Sequence, residues 1–345
     1  MFQSMITAVN SDEGYTEIVR AVVEGRNVIP VFSVLRIGEN SLGEAARVFG
    51  ENNTLPVDEI FVTTFHPKDV VFQHLEVPRV KSMKNLLSVA SFKAASQFSL
   101  PPDEVNVACL NSIASLKTGL VPAFIITKRK AVLEFVGRLT GENFPEPNIV
   151  DVKPFSIFKT AHTSVFEGNN IVFVVDKNYS ILLTLRGEEI VGLNYISDGF
   201  DELASGFSED NSLSPKTDIQ REFLVGSKAY YDSLIEEASE RLEGLISYQL
   251  RMYLTNTLSN SPNTSAADES LFTRFFVVGP SSLSTAVYSR AFQRILGDEI
   301  EVVSMPLRIK ETTGITYTSV GLLMRGGEIL GRRKLTFKEE AGIKA

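Results

Sequence analysis

The chain has 345 residues, 43% hydrophobic and 22% charged, the composition of ordinary globular material sufficient for two domains. A formal net charge of −8 argues against a nucleic-acid binder, which needs a basic stripe, but does not exclude protein partners or a small local patch. A single cysteine, Cys109, excludes an intramolecular disulfide and fits a reducing compartment.

Residues 1–5 lack the basic and apolar regions of a secretion signal, and no stretch approaches the roughly 20 apolar residues that cross a bilayer. The expectation is a cytoplasmic protein with no membrane insertion of its own. Three strands follow, over 5–9, 15–23 and 27–32, separated by the turn residues 10–14 and 24–26. A different unit comes next. Leu86, Leu87, Ala90, Ala94, Ala95 and Phe98 recur at helical spacing within 82–98. Strands are predicted over 105–110 and 121–127, and a helix over 131–139. Cys109 stands in the apolar run of the first of these strands and is read as a buried structural thiol. Lys128-Arg129-Lys130 opens the second helix, where cations oppose the helix dipole. That run is read as solvated, with an acidic partner or lipid headgroups as the alternative. The Pro145-Glu146-Pro147 boundary leads back to a strand at 149–152.

A second triplet of strands then repeats the plan of the first, over 171–175, 179–185 and 190–196. The turns are Asp176-Lys177-Asn178 and Arg186-Gly187-Glu188-Glu189. Two such meanders, each followed by helices, predict a duplicated α/β architecture; two unrelated hairpins are the alternative. Beyond a polar stretch at 206–216, one long helix is predicted over 218–254, with Leu234, Ala238, Leu242 and Leu245 on one face. A polar loop over 257–268, a strand at 275–278 and a helix from Ser281 to Leu296 follow. Ser281 and Gly297 are its expected caps. A short strand at 301–303, a small-residue segment at 317–324 and an exposed tail complete the chain.

Taken in order, these segments resemble the PilM family of type IV pilus assembly proteins, relatives of FtsA in the actin-like superfamily, over about 5–326. The run 71–105 resembles that family's strand–Pro–helix–Pro-x-(Asp/Glu)-Glu segment, with Pro78 preceded by Val77 rather than leucine. Asp151, Pro154 and Phe155 match its Val-Asp-x-x-Pro-Phe hallmark. Residues 319–326 resemble its closing Ala-x-Gly-Leu-Ala-x-x-Gly, with Ser319 and Leu323 replacing both alanines. The resemblance implies an actin-like two-lobed fold with an inserted subdomain. Its parts would be a first lobe at 1–78 and 147–165, an insertion at 79–146, a second lobe at 166–326 and a C-terminal extension at 327–345. It also implies a site between insertion and first lobe for the N-terminal peptide of PilN, a membrane-anchored partner, and a capacity for self-association. Leu87, Phe92, Phe98 and Phe155 are candidates for the walls of that peptide site.

An actin-like ATPase cradles phosphate in two Gly-containing turns and sets magnesium with an aspartate. Here Asn10 stands at the aspartate position and Asp12 at a glycine position, and Asp12 and Glu13 would repel a triphosphate. Asp176 is retained, but Asn178 replaces the following glycine. Lys177 at the hairpin tip is read as a solvated lysine. Of the two later Gly-Gly pairs only Gly199 and Gly279 remain. Asn10, Ser11, Gly14, Asp176, Gly199 and Gly279 would therefore bind a nucleotide weakly if at all. No cofactor is expected, weak Mg-ATP binding being the alternative. Neither a Walker loop, a nucleophile elbow nor a metal-ligand spacing of His66, His74, His162 and Cys109 is present. The expected function is a scaffold peripheral to the inner membrane. The alternatives are a nucleotide-dependent actin-like switch and a GspL-like component of type II secretion.

Overall fold

The computed structural model describes residues 4–52, 59–78, 82–110, 121–210, 215–260, 274–297, 300–309, 312, 314–330 and 335–337. The first lobe opens with β1 (Ser4–Asp12), β2 (Tyr15–Glu24) and β3 (Asn27–Ile37), an antiparallel meander. Gly14 and Gly25 turn its hairpins at φ of +81° and +62°, a region open to glycine at no steric cost. Helix α1 (Ser41–Asn52) leads to β4 (Ile60–Phe65), which pairs in parallel with β1.

The inserted unit contains β5 (Val71–His74), α2 (Met83–Phe98), β6 (Val105–Cys109), β7 (Ala123–Lys128) and α3 (Arg129–Gly141). Its three strands form an antiparallel sheet in the order β5-β7-β6. Leu86, Ala90 and Ala94 of α2 pack on Phe124 and Ile126. By contrast, Phe135 and Leu139 of α3 belong to the core of the first lobe, beside Phe49, Phe61 and Phe65. The unit is thus tied to the lobe through α3, and its sheet draws in β5 from before residue 79.

The chain returns through β8 (Ile149–Val152), parallel to β4, and the short helix α4 (Lys153–Ile157). The second lobe repeats the meander with β9 (Asn169–Val175), β10 (Ser180–Arg186) and β11 (Glu189–Ile196). Helices α5 (Asp201–Asp210), α6 (Lys216–Val225) and α7 (Asp232–Asn260) follow. Strand β12 (Arg274–Val278), helix α8 (Ser282–Leu296) and strand β13 (Glu301–Ser304) complete that lobe. Its sheet order is β11-β10-β9-β12-β13, and the first lobe contains β3-β2-β1-β4-β8. Both therefore arrange their strands third, second, first, fourth, fifth, which is the duplication expected from the sequence.

The structure differs from the sequence reading in several places: α1 and β4 have no counterpart in it, and α5 runs into the expected polar stretch at 206–216. The single helix expected over 218–254 is two. Gly226 takes an extended conformation, and a side chain on it would lie 2.4 Å from the Glu222 carbonyl oxygen, so α6 stops there and α7 restarts at Asp232. Helix α7 then runs to Asn260, into the predicted polar loop, whose remainder lies outside the described residues. The small-residue segment is the helix α9 (Tyr317–Ile329), and β14 (Thr336–Phe337) joins the first sheet beside β3. This part of the tail is therefore packed, with Gly326, Gly327 and Phe337 buried. Gly321 lets α9 press on α4, since a side chain there would lie 2.0 Å from the Ser156 carbonyl oxygen.

One apolar core spans both lobes, joining Ile6, Ala8 and Val62 to Val172, Val174 and Ile181 through Val320 and Leu323 of α9. A second fills the outer face of the second lobe, where Phe173 meets Phe275, Tyr288 and Phe292. Phe292 is fully buried and touches all three other rings. Phe292→Ala is expected to cost about 3–5 kcal/mol, read as an earlier denaturant midpoint by circular dichroism.

Candidate functional site

The two lobes meet where their first hairpins turn. Asp12 ends β1 and Asp176 follows β9, and between them lies the ammonium of Lys153, the first residue of α4. It donates to Asp12 Oδ2 at 2.6 Å and to the Tyr15 hydroxyl at 2.5 Å, and lies 3.1 Å from Asp176 Oδ2. It also sits over the Tyr15 ring, 4.3 Å from its centroid. The Tyr15 hydroxyl donates to Asp176 Oδ1 at 2.9 Å. His66 approaches Asp12 Oδ1 at 3.3 Å and meets the Tyr179 ring edge-on. The Lys153 and Asp12 side chains are each 1% exposed.

Electrostatics follows from this packing. Burial alone would raise the Asp12 pKa, but Lys153 and His66 outweigh it and hold the carboxyl below its ordinary value. Burial likewise works against the charged Lys153, and Asp12 and Asp176 overcome it, so its pKa is raised. His66 is lowered, first by burial and then by Lys153 and Lys68, against the opposing pull of Asp12.

The hairpin tips are clasped as well. Asn178 Nδ2 donates to the Glu13 carbonyl at 2.7 Å, and Glu13 pairs with Lys68. Lys177, expected to be solvated, is 7% exposed and lies 3.4 Å from Asp201, which also takes Lys216 at 2.9 Å. Behind the turn, Asn10 is fully buried and donates to Thr316 Oγ1 at 3.2 Å. Glu17, also fully buried, accepts the Thr316 N–H at 2.9 Å and the hydroxyls of Thr316 and Ser319, holding the start of α9. Burial raises its pKa against those hydrogen bonds.

The structure gathers the six predicted nucleotide residues around the interlobe cleft but commits most of their polar groups to the protein. Ser11 Oγ meets Thr16 Oγ1 at 3.0 Å. Gly14 faces the Lys177 ammonium, and Gly199 packs so tightly that a side chain would lie 2.3 Å from the carbonyl oxygens of Asp176 and Lys177. The Gly279 N–H donates to Thr285 Oγ1 at 2.9 Å. At the start of α8, Ser281 and Ser284 form a reciprocal capping box.

A groove of about 1030 Å³ opens elsewhere, where the insertion meets both lobes. It is bordered by Ala108 and Cys109 of β6 and by all four residues of β8, each the terminal strand of its sheet among the described residues. Phe155, Phe158, Phe166 and Met324 supply apolar wall, and Asp151, Lys159, Arg325 and Glu328 supply charge. Lys159 lies 3.1 Å from Glu328. Asp151 is raised by burial, against the lowering effect of Arg325. Of the four predicted wall residues, Phe155 lines this groove. Leu87 packs on the core of the insertion, Phe92 is 62% exposed on α2, and Phe98 lines a separate, smaller groove. Cys109, expected to be buried, is half-buried at the rim.

No protein-family model matches the chain, and no curated protein matches it significantly. Solved structures do. The PilM–PilN type IV pilus biogenesis complex matches with a TM-score of 0.64 at 14% identity, over 94% of this chain and 98% of that one. The ethanolamine utilization protein EutJ of Carboxydothermus hydrogenoformans gives 0.49 at 12% identity, over 94% and 90%. The cytoplasmic domain of EpsL, from the type II secretion system of Vibrio cholerae, gives 0.46 at 8%, over 95% of both chains. The likeness is one of fold. The chain has the two-lobed actin-like fold, and the resemblance to PilM read from its sequence holds at that level.

The clasp makes a pH-dependent prediction. With Asp12 held low and Lys153 held high, its contribution is present above the ordinary carboxylate value of 3.8 and is lost as pH falls through the lower folded value of Asp12. On the alkaline side it is complete below 10.5 and is lost as pH rises through the raised folded value of Lys153. Lys153→Met leaves buried carboxylates without their cation and is expected to cost about 3–5 kcal/mol at neutral pH. The deficit against the wild type is read by denaturation at neutral pH, and it is expected to close as pH falls through the lowered folded value of Asp12, where the wild type loses the pair as well.

Proposed function

We propose that this chain is a scaffold of type IV pilus or related secretion machinery. It holds the cytoplasmic N-terminal peptide of a PilN-like membrane protein and is thereby kept at the inner membrane. The observation that carries the reading is the groove between β6 and β8. An extended peptide laid along a terminal strand gains main-chain hydrogen bonds, and side-chain pockets then set its sequence. Phe155, Phe158 and Met324 offer such pockets for apolar residues, with charged groups close by to fix direction. The architecture shared with the PilM of a PilM–PilN complex supports the choice of partner.

The same reading takes the interlobe cleft as degenerate. A magnesium nucleotide needs free carboxylate for its metal and free N–H groups for its phosphates. Here the Asp12 and Asp176 carboxylates face Lys153, and the Gly279 amide is bonded internally. The residues present do not fit the ligand, and lobe closure rests on side chains of the protein itself.

Two measurements test this. A fluorescent peptide from the N-terminus of the PilN-like partner is expected to bind saturably. Ala108→Trp, at an exposed position on the groove's rim, should weaken it more than tenfold, and Phe92→Ser should leave it unchanged. Equal binding by all three proteins would place the site elsewhere. Isothermal titration with Mg-ATP is expected to give no saturable heat, whereas tight binding would restore the nucleotide switch.

A further inference from the structure

The insertion is charged against the rest of the molecule. Residues 79–146 hold nine Lys and Arg against five Asp and Glu, a net +4 on a chain whose total is −8. Three of these cations are consecutive. Lys128 is the N-cap of α3, and Arg129 and Lys130 are its first residues, with no side-chain cap and no acid in the first turn. Cations are destabilising at this end of a helix, where the dipole is positive, and all three are exposed. Lys130 approaches Glu134 at 3.7 Å in an exposed pair, which contributes little. Lys128 and Arg129 meet no carboxylate among the described residues.

Apolar groups open to water flank the run. Leu133, 58% exposed, lies one turn along on the face shared with Arg129 and Lys130. On the other side, Lys128 lines a groove of about 270 Å³ together with Lys68, Val71 and Phe98, against the single carboxylate of Asp69. Val71 and Phe98 are 43% and 36% exposed.

We propose that this patch rests on the surface of an anionic lipid bilayer, with Lys128, Arg129 and Lys130 among the headgroups and Leu133 and Phe98 at the acyl boundary. Clustered cations beside isolated exposed apolar side chains are what such a surface binds, each cation contributing about fivefold. The charge is complementary for the insertion and repulsive for the acidic remainder, so the surface also orients the molecule. This contact is separate from the peptide groove and does not depend on it.

The test is sedimentation of the full chain with vesicles of mixed phosphatidylcholine and phosphatidylglycerol, compared with pure phosphatidylcholine. Binding is expected to the mixed vesicles alone and to weaken with salt. Lys128→Glu/Arg129→Glu/Lys130→Glu should reduce it by about a hundredfold or more. That variant places acids where the helix dipole favours them, so its unfolding midpoint should not fall, which separates lost binding from lost structure. Leu133→Asp should weaken binding with the cations intact. Equal binding to both vesicle types, or unchanged binding by the triple variant, overturns the proposal. So does failure to bind vesicles when a Glu-rich peptide is bound by the wild type and not by the triple variant, a result that assigns the patch to an acidic protein segment.

Discussion

A buried ammonium persists only where opposite charge offsets its lost hydration, a cost of several kcal/mol for each ion. Lys153 meets that condition with Asp12 from one lobe, Asp176 from the other and the face of Tyr15. The two aspartates stand at matching places in the repeated topology, each at the end of the first strand of its meander. A single internal cation is thus shared by the two halves of a duplicated fold, at the point where they approach. The hairpin tips close beside it, through Asn178 on the Glu13 carbonyl.

The same short helix links this ion cluster to the groove. Lys153 and Phe155 are two residues apart in α4, one turned into the cleft and the other into the groove wall. Pro154 fixes the backbone between them, and Gly321 of α9 admits the close approach that seats the helix.

Both meanders were legible in the sequence because Gly and Asx turns punctuate strands of high β-branched content. The first lobe's α1 was not read, although Leu42, Ala45, Ala46 and Phe49 recur along it at helical spacing and pack on the core of that lobe. The break at Gly226 was hidden because apolar spacing continues across it. Lys153, which the Asp12 and Asp176 carboxylates face, was not singled out. Lys153 occupies an unspecified position of the Val-Asp-x-x-Pro-Phe run and bonds to Asp12 from 141 residues away. Its one local signal is a lysine following an apolar strand and preceding a proline at a helix start, and nothing in that says which carboxylates it meets. Of the four wall candidates, Phe155 of the hallmark run lines the groove, whereas Leu87, Phe92 and Phe98 of the insertion are pointed by α2 in three directions.

Strand β7 connects the groove to the basic patch. Alternation along it sends Phe124 and Ile126 into the core of the insertion and Ile125 to the groove, and it ends at Lys128, the first cation of the run. It is the central strand of its sheet, paired on both sides, and six residues in that setting make a rigid rod of about 20 Å. Helix α3 continues from it and is anchored in the first lobe by Phe135 and Leu139. The groove's inner wall and the cationic surface are consequently fixed relative to each other by regular structure, with no hinge between them. A ligand in the groove and a surface against the patch would each constrain the same rigid body, so engagement of one presents the other at a set angle and distance.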